Sequence, residues 1–401
     1  MDRRVDGVSR RTVLFAAGAA VAAAGLAQPM PAGPITRVTA AGPSGSAERA
    51  ELAERAIVAR HVRTLWGHSG WRLGLLVWPA TPADQSFLRW CYWWQAHLLD
   101  CAIDAAHRHS TPERVARVAA LAYGIRTRNV TGWANRYYDD MAWLVLALDR
   151  ADRLLGVRFD GAVDELLTAL DDGWNPEVGA VPWRRGDRYY NTPAVGPTGI
   201  AMARLGRVPR AAQLAEFLYT RLHDTGTGLI LDGVHEPDGR VQRDIHTYCQ
   251  GVAIGLNTEL AVRTGDPVHH RRASALIEAV AQRLTTDGVI AAADTNDSGL
   301  FMGILARYLA EAALVLGNRT AATIVHTSAE AAWRNRAEVD GLPLFGTDWA
   351  RPVTAPNQPG TFLQLTSSAT AGSANLSRDL SVQLSSWILL EADHQLTAAD
   401  R

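Results

Sequence analysis

The chain has 401 residues, of which 47% are hydrophobic, enough for a substantial core in one large domain or two. A formal net charge of −1, with no long basic stripe beyond the first residues, excludes the electrostatic footprint of a nucleic-acid binder. Twelve histidines show no HExxH or comparable spacing and three cysteines form no CxxC, so neither a metal centre nor a cofactor is expected.

At the amino terminus, Ser9-Arg10-Arg11-Thr12-Val13-Leu14-Phe15 and the alanine-rich run behind it read as a twin-arginine export signal over residues 1–27. The apolar segment is short and alanine-rich for a membrane span, and Gly25-Leu26-Ala27 offers the small residues a signal peptidase needs. An uncleaved anchor is the alternative. Either way the body is expected outside the cytoplasm, as a periplasmic, cell-wall-associated or secreted protein with no membrane span once the signal is removed. Residues 28–46, rich in Pro, Gly, Ser and Ala, read as a disordered spacer before a single body at 47–395.

Within that body, apolar residues recur at three-and-four spacing in about twelve segments. They fall near 47–66, 86–109, 112–125, 135–155, 161–170 and 190–205, then near 210–223, 247–263, 269–284, 298–316, 321–336 and 379–392. Turn signals such as Ser110-Thr111-Pro112, Asp171-Asp172-Gly173 and Gly265-Asp266-Pro267 separate them, and Gly228-Leu229-Ile230-Leu231 is one of few strand patterns. The expected class is therefore all-α. With no fixed repeat period to suggest a solenoid, the expected architecture is an (α/α)6 barrel, six helical hairpins closed into a toroid with long loops at one mouth. The longest of those loops is 340–377.

The fourth segment opens with Asn135-Arg136-Tyr137-Tyr138-Asp139-Asp140-Met141-Ala142-Trp143-Leu144, two adjacent acids bracketed by aromatics. Met141, Leu144, Val145, Leu148 and Leu155 define one helix face, which puts the acids in the first turn, where unpaired N–H groups and the macrodipole favour negative charge. Two carboxylates so close do not hold their charges equally, which would let one donate a proton while its neighbour attacks. An acidic dipeptide also caps helices, but Trp133, Tyr137, Tyr138 and Trp143 beside it suit the apolar faces of a sugar ring. Cys91 and Cys101 stand ten positions apart in an apparent helix, roughly 15 Å along its axis, and Cys249 is isolated, so all three are expected as unpaired thiols. His269-His270 reads as a solvated pair on a polar loop.

Further stretches are unusual for packing alone: Trp93-Trp94-Gln95-Ala96-His97, Tyr190-Asn191-Thr192-Pro193-Ala194-Val195-Gly196-Pro197, Tyr248-Cys249-Gln250-Gly251 and Phe301-Met302-Gly303-Ile304. Together with the acid pair, and in the same order, they resemble the motifs of glycoside hydrolase family 76, the α-1,6-mannanases, from about residue 47 to about residue 395. The resemblance implies a metal-independent retaining enzyme acting on α-mannan or a mannose-containing polysaccharide or glycolipid. It implies Asp139 as nucleophile and Asp140 as general acid/base. Tyr138, Trp183, Asn191, Tyr248 and Gln250 match positions expected near the sugar, and one of the Trp93-Trp94 pair, taken as Trp94, is expected to face the funnel. Tyr190, Val195, Cys249 and Met302 stand where the family has Lys, Asn, Asn and Lys, which implies altered contacts with sugar hydroxyls. Asn191 would also serve as a helix cap, and Gly251 as a point of close helix approach. The same acid pair suits a transglycosylase of the cell envelope, and the departures suit a non-catalytic mannan-binding protein. The oligomeric state is left open.

Overall fold

A computed structural model describes residues 36–37, 45–292, 298–353 and 378–400. Its helices are α1 (Ser46–Arg60), the single-turn α2 (Pro82–Gln85), α3 (Tyr92–Arg108), α4 (Pro112–Arg128), α5 (Tyr138–Leu155), α6 (Ala162–Asp172) and α7 (Thr192–Arg204), followed by α8 (Val208–Phe217), α9 (Thr247–Thr264), α10 (Pro267–Arg283), α11 (Phe301–Leu316), α12 (Arg319–Asn335) and α13 (Leu380–Ala399). Each of the twelve segments read from apolar periodicity contains one of the long helices. The strands form only two- and three-stranded sheets among the described residues, the largest including Tyr189–Asn191, Gly233–His235 and Arg240–Gln242.

Helices α3, α5, α7, α9, α11 and α13 each pack on the next, and α13 packs back on α3, closing an inner ring. Outer helices α4, α6, α8, α10 and α12 each cover the inner helix that precedes them. The chain's first helix, α1, covers its last, α13, so the sixth hairpin joins the two ends of the fold. The structure is the (α/α)6 barrel the periodicity predicts. Inner helices α3 and α7 bury nearly all their residues, from Tyr92 through Ala106 and from Thr192 through Ala203, as elements enclosed on every side must. Close approach inside the ring depends on small residues: a Cβ on Gly303 of α11 would stand 2.6 Å from the Ser385 backbone of α13, and one on Gly251 of α9 would stand 2.9 Å from Cα of Leu305.

Several expectations are corrected. Helix α1 stops at Arg60 instead of 66, because the β-branched Val62 and Thr64 pair with Arg72–Gly74 in a hairpin. Within the expected spacer, Thr36–Arg37 is a strand paired with Ala337 and Glu338, where an adjacent hairpin edge supplies the backbone partners; α1 itself already begins at Ser46. His269 and His270 lie in α10 rather than on a loop, and His269 is buried with its Nδ1 2.9 Å from Asn257 Oδ1. The long loop gives a strand at Leu342–Leu344; its remainder at 354–377 lies outside the described residues, as does the expected signal segment at 1–27. Cys91, Cys101 and Cys249 are buried and not joined by a disulfide. No described helix is long and apolar enough to cross a membrane.

Candidate active site

All six inner helices run the same way, so their N-termini meet at one mouth. None of the six carries a side-chain cap. Outer helices α4, α10 and α12, by contrast, start on capping Thr111, Asp266 and Asn318. The uncapped N–H groups and positive dipole ends therefore converge on the mouth and favour negative charge there.

Asp139 and Asp140 occupy the first turn of α5 and are buried, 0% and 3% exposed. Asp139 Oδ1 accepts the backbone N–H of Asp140 at 2.8 Å, and its Oδ2 accepts the indole N–H of Trp183 at 3.2 Å. Trp183 is set in place by main-chain bonds: its carbonyl accepts from Tyr138 N at 2.9 Å and its N–H donates to Tyr189 O at 2.7 Å. Its ring meets Tyr137 edge-on with centroids 5.2 Å apart.

Asp140 Oδ2 accepts the side-chain amide of Asn135 at 2.9 Å. The same amide's oxygen accepts Tyr137 N at 2.8 Å, which fixes both its orientation and its reach. The segment leading to it is pinned from two sides. Glu165 of α6 accepts the N–H groups of Trp133 and Ala134, and Asn129 Nδ2 donates to the carbonyls of Gly132 and Ala134.

Around the acids the inner helices supply rings and amides. Tyr248 of α9 stacks on Phe301 of α11 at 3.7 Å and 9°, and Phe301 lies 6.2 Å from Trp93 of α3. His97, one turn further along α3, sits 4.6 Å from Trp143 of α5. Trp94, the one expected to face the funnel, meets the Trp93 ring at 6.4 Å. The indole N–H groups of Trp94 and Trp143 and the Oδ1 of Asn191 are buried without a hydrogen-bond partner among the described residues. Asn191 does precede α7, but its side chain makes no capping bond. Such groups are suited to a polar ligand rather than to packing.

Two expected sugar contacts are placed elsewhere. Gln250 is fully buried and spends its amide on Ile230, accepting its N–H and donating to its carbonyl, both at 2.8 Å, with a further bond to His246 O. Gln95 clasps Gly74 and Gln383 clasps Phe345 in the same two-bond manner, so glutamines near the starts of α3, α9 and α13 tie connecting hairpins to the barrel. Tyr138 turns its ring onto Gly173, where a Cβ would come within 2.3 Å, and beneath Arg185. Burial raises its phenol, with Arg185 lowering it and Asp172 adding to the rise.

Sequence reasoning missed Asn135 as a partner of the acid pair, and it missed Asp232. Asp232 reads as a turn residue before Gly233, yet it is fully buried between the starts of α7 and α9, takes the Tyr189 hydroxyl, and lies 3.9 Å from Cys249 Sγ. Tyr190, Val195, Cys249 and Met302 are all buried, and the Tyr190 hydroxyl accepts from Asn175 at 2.8 Å.

A cavity of about 770 Å³ lies on the barrel axis below this site. His97 and Trp143 form its upper wall, and its lower wall is charged. Arg150 pairs with Asp100 and Asp104, Arg307 with the same two acids at 3.1 and 2.7 Å, Arg204 with Glu259 and Glu311, and Arg108 with Glu391 and Glu54. Burial would raise the Asp104 carboxyl, but Arg150 and Arg307 outweigh it and hold it at about 2. Burial pushes Glu391 up to about 7 against the pull of Arg108. Among the described residues no cluster of His, Cys, Asp or Glu is arranged to hold a metal ion.

Residues 51–383 match the family model for glycosyl hydrolase family 76. No curated protein matches the chain. Among solved structures, the α-1,6-mannanase from Salegentibacter sp. HEL1_6 is similar at 26% identity and a TM-score of 0.73, over 88% of this chain and 99% of that one. An inactive variant of that enzyme, with two adjacent aspartates replaced by asparagine and α-1,6-mannotriose bound, is similar at 25% identity and a TM-score of 0.72, over 88% and 99%. A protein from Listeria innocua is similar at 25% identity and a TM-score of 0.75, over 88% and 98%.

Proposed function

Since the chain belongs to glycosyl hydrolase family 76 it is a glycosidase, and we propose that it cleaves α-1,6-linked mannan with retention of configuration. The observation that carries this reading is the acid pair at the start of α5, whose carboxylates accept N–H groups from Trp183, Asn135 and the backbone, with the Tyr137 ring edge-on to Trp183. The mannotriose complex of the similar Salegentibacter enzyme, inactivated at two adjacent aspartates, supports both the substrate and the pair.

Adjacent residues have α-carbons about 3.8 Å apart and side chains about 100° apart around a helix, which suits the ~5 Å carboxyl separation of a retaining enzyme better than the wider gap of an inverting one. In the first step the Asp139 carboxylate attacks the anomeric carbon while Asp140 gives its proton to the departing glycosidic oxygen. In the second, Asp140 takes a proton from water as that water attacks the same carbon and frees Asp139. Trp183 holds Asp139 on the line of attack, and Asn135 holds Asp140 beside the leaving group. The paired arginines near residue 10 support export by the twin-arginine route, so the polymer is one met outside the cytoplasm.

Incubation with linear α-1,6-mannan oligosaccharides, against α-1,2-linked ones as control, tests the substrate. Cleavage of the α-1,6 series alone is expected. Binding without cleavage would instead favour a mannan-binding protein.

A further inference from the structure

At the edge of the mouth one tryptophan stands where chain geometry disfavours it. Residues 65–68 form a tight turn closed by His68 N donating to Leu65 O at 3.0 Å, with Trp66 at φ 48, ψ 33 and Gly67 at φ 77. These are the left-handed angles of a type I′ hairpin turn, whose first central position normally belongs to Asn, Asp or Gly. The chain follows that rule elsewhere, at Asp287-Gly288 and Asp340-Gly341, each with both residues at positive φ. A bulky side chain in this conformation costs on the order of 1 kcal/mol. Burial offsets it only in part, because Trp66 is 58% exposed. Its one hydrogen bond, Nε1 to Ser86 O at 3.1 Å, is itself exposed and serves to orient the ring.

That bond joins the turn to a second apolar feature. Phe87, next to Ser86, also has positive φ (56°), and Leu88 beside it is 63% exposed. Arg128 at the end of α4 donates to the carbonyls of Phe87 and Leu88 at 2.8 and 3.1 Å and lies 5.1 Å over the Trp90 ring. Trp90 in turn stands 5.6 Å from Tyr92, the first residue of α3, whose neighbour Trp93 lines the funnel. The Tyr92 phenol also feels the charge of Asp140. A continuous line of rings and clamped loops thus runs from the acid pair to Trp66.

We propose that Trp66, with Leu88 and Trp90, forms a glycan-binding platform on the rim that holds the substrate polymer beyond the sugars at the acid pair. The inference rests on the α-1,6-mannan reading. A neutral sugar chain suits the exposed indole and Leu88, and the nearby arginines are not arrayed to grip an anionic polymer: Arg63 and Arg128 spend donors on backbone carbonyls and Arg89 pairs with Asp84. A few exposed apolar side chains also fall well short of the roughly 800 Å² per partner that a stable protein interface buries. An indole held flat by a bond at its polar edge presents its apolar face to the C–H face of a pyranose.

The test uses the full chain carrying Asp139→Asn and Asp140→Asn, so that binding is measured without turnover, and adds Trp66→Asn. Asparagine suits the left-handed turn, so the melting temperature should hold or rise. Binding of long linear α-1,6-mannan should weaken roughly three- to tenfold, while binding of α-1,6-mannotriose stays unchanged. Trp66→Tyr should recover most of the loss. Unchanged polymer binding, or equal weakening for both ligands, would overturn the platform; so would a shift in sedimentation coefficient with polymer binding intact, which would assign the rim to self-association. If the Trp66-bearing protein binds neither ligand, the substrate reading itself fails, and the platform with it.

Discussion

The two ends of the barrel treat buried carboxylates in opposite ways. At the mouth, Asp139 and Asp140 accept neutral N–H groups, among them those of Trp183, Asn135 and the backbone. At the far end, Asp100, Asp104, Glu259, Glu311 and Glu391 are held by the guanidinium groups of Arg150, Arg307, Arg204 and Arg108. The chain contains no lysine, so every such pair uses a side chain that stays charged at any ordinary pH. A carboxylate locked between two arginines, as Asp104 is by Arg150 and Arg307, is a poor nucleophile and a poor carrier of protons. One held by neutral donors keeps its place while its charge is free to change. The difference separates the acids proposed to do chemistry from those that hold the inner helices together.

The largest effect that separates the two ends is expected from Asp139→Asn, which should lower kcat by about 10⁴-fold or more with the melting curve unmoved, since no covalent intermediate can form. Arg204→Met at the other end should do the reverse. It leaves the partly buried Glu311 without its cation, at a cost of about 3 kcal/mol, while the folded fraction keeps its kcat within about twofold. If Arg204→Met abolished turnover in protein that remained folded, the division of labour would not stand.

A smaller effect is expected at Asn135. Its amide touches Asp140 and a backbone N–H but is not consumed, so Asn135→Ala should lower kcat roughly 10- to 100-fold and shift the acidic and basic limbs of the pH–rate profile, with stability little changed. A loss confined to stability would make it a loop anchor only.

The smallest effect concerns pH. Glu391 carries a folded-state pKa raised from 4.5 to about 7, so the folded chain binds a proton that the unfolded chain has released. Stability from this group is full below about pH 4.5 and is lost as pH rises toward 7, by roughly 1–3 kcal/mol. Glu391→Gln should flatten that slope in chemical denaturation between pH 5 and 8. Asp104 has the opposite sign: its lowered pKa gives stability above about pH 4 that is lost as pH falls toward 2.

Much of the barrel was legible because its signals are local. Apolar spacing marks each of the twelve long helices, and Thr111-Pro112 and Asp266-Pro267 mark two of their starts through capping and proline geometry. The acid pair was legible for the same reason, as two like charges and several rings in one helical turn. What the sequence hid was set by contacts far along the chain. Gln250 looks like a ligand contact until Ile230 is brought beside it, and Asp232 looks like a turn until α7 and α9 close over it. Whether Trp93 or Trp94 faces the funnel depends on the rotation of α3 between α5 and α13, which periodicity leaves undetermined when both faces are buried. The ion pairs at the far end join residues 46 or more positions apart, 46 for Arg150 with Asp104 and 203 for Arg307 with Asp104, and no local pattern announces them.

The claim on which the rest depends is that Asp139 attacks the sugar while Asp140 handles the proton. Proton NMR of a linear α-1,6-mannan oligosaccharide digest, recorded from the first minutes, reads this directly. The anomeric signal of the newly formed reducing end should appear first as the α-anomer and drift toward the mutarotated mixture. A β-anomer appearing first would mean a single displacement by water, and neither aspartate would then be the nucleophile.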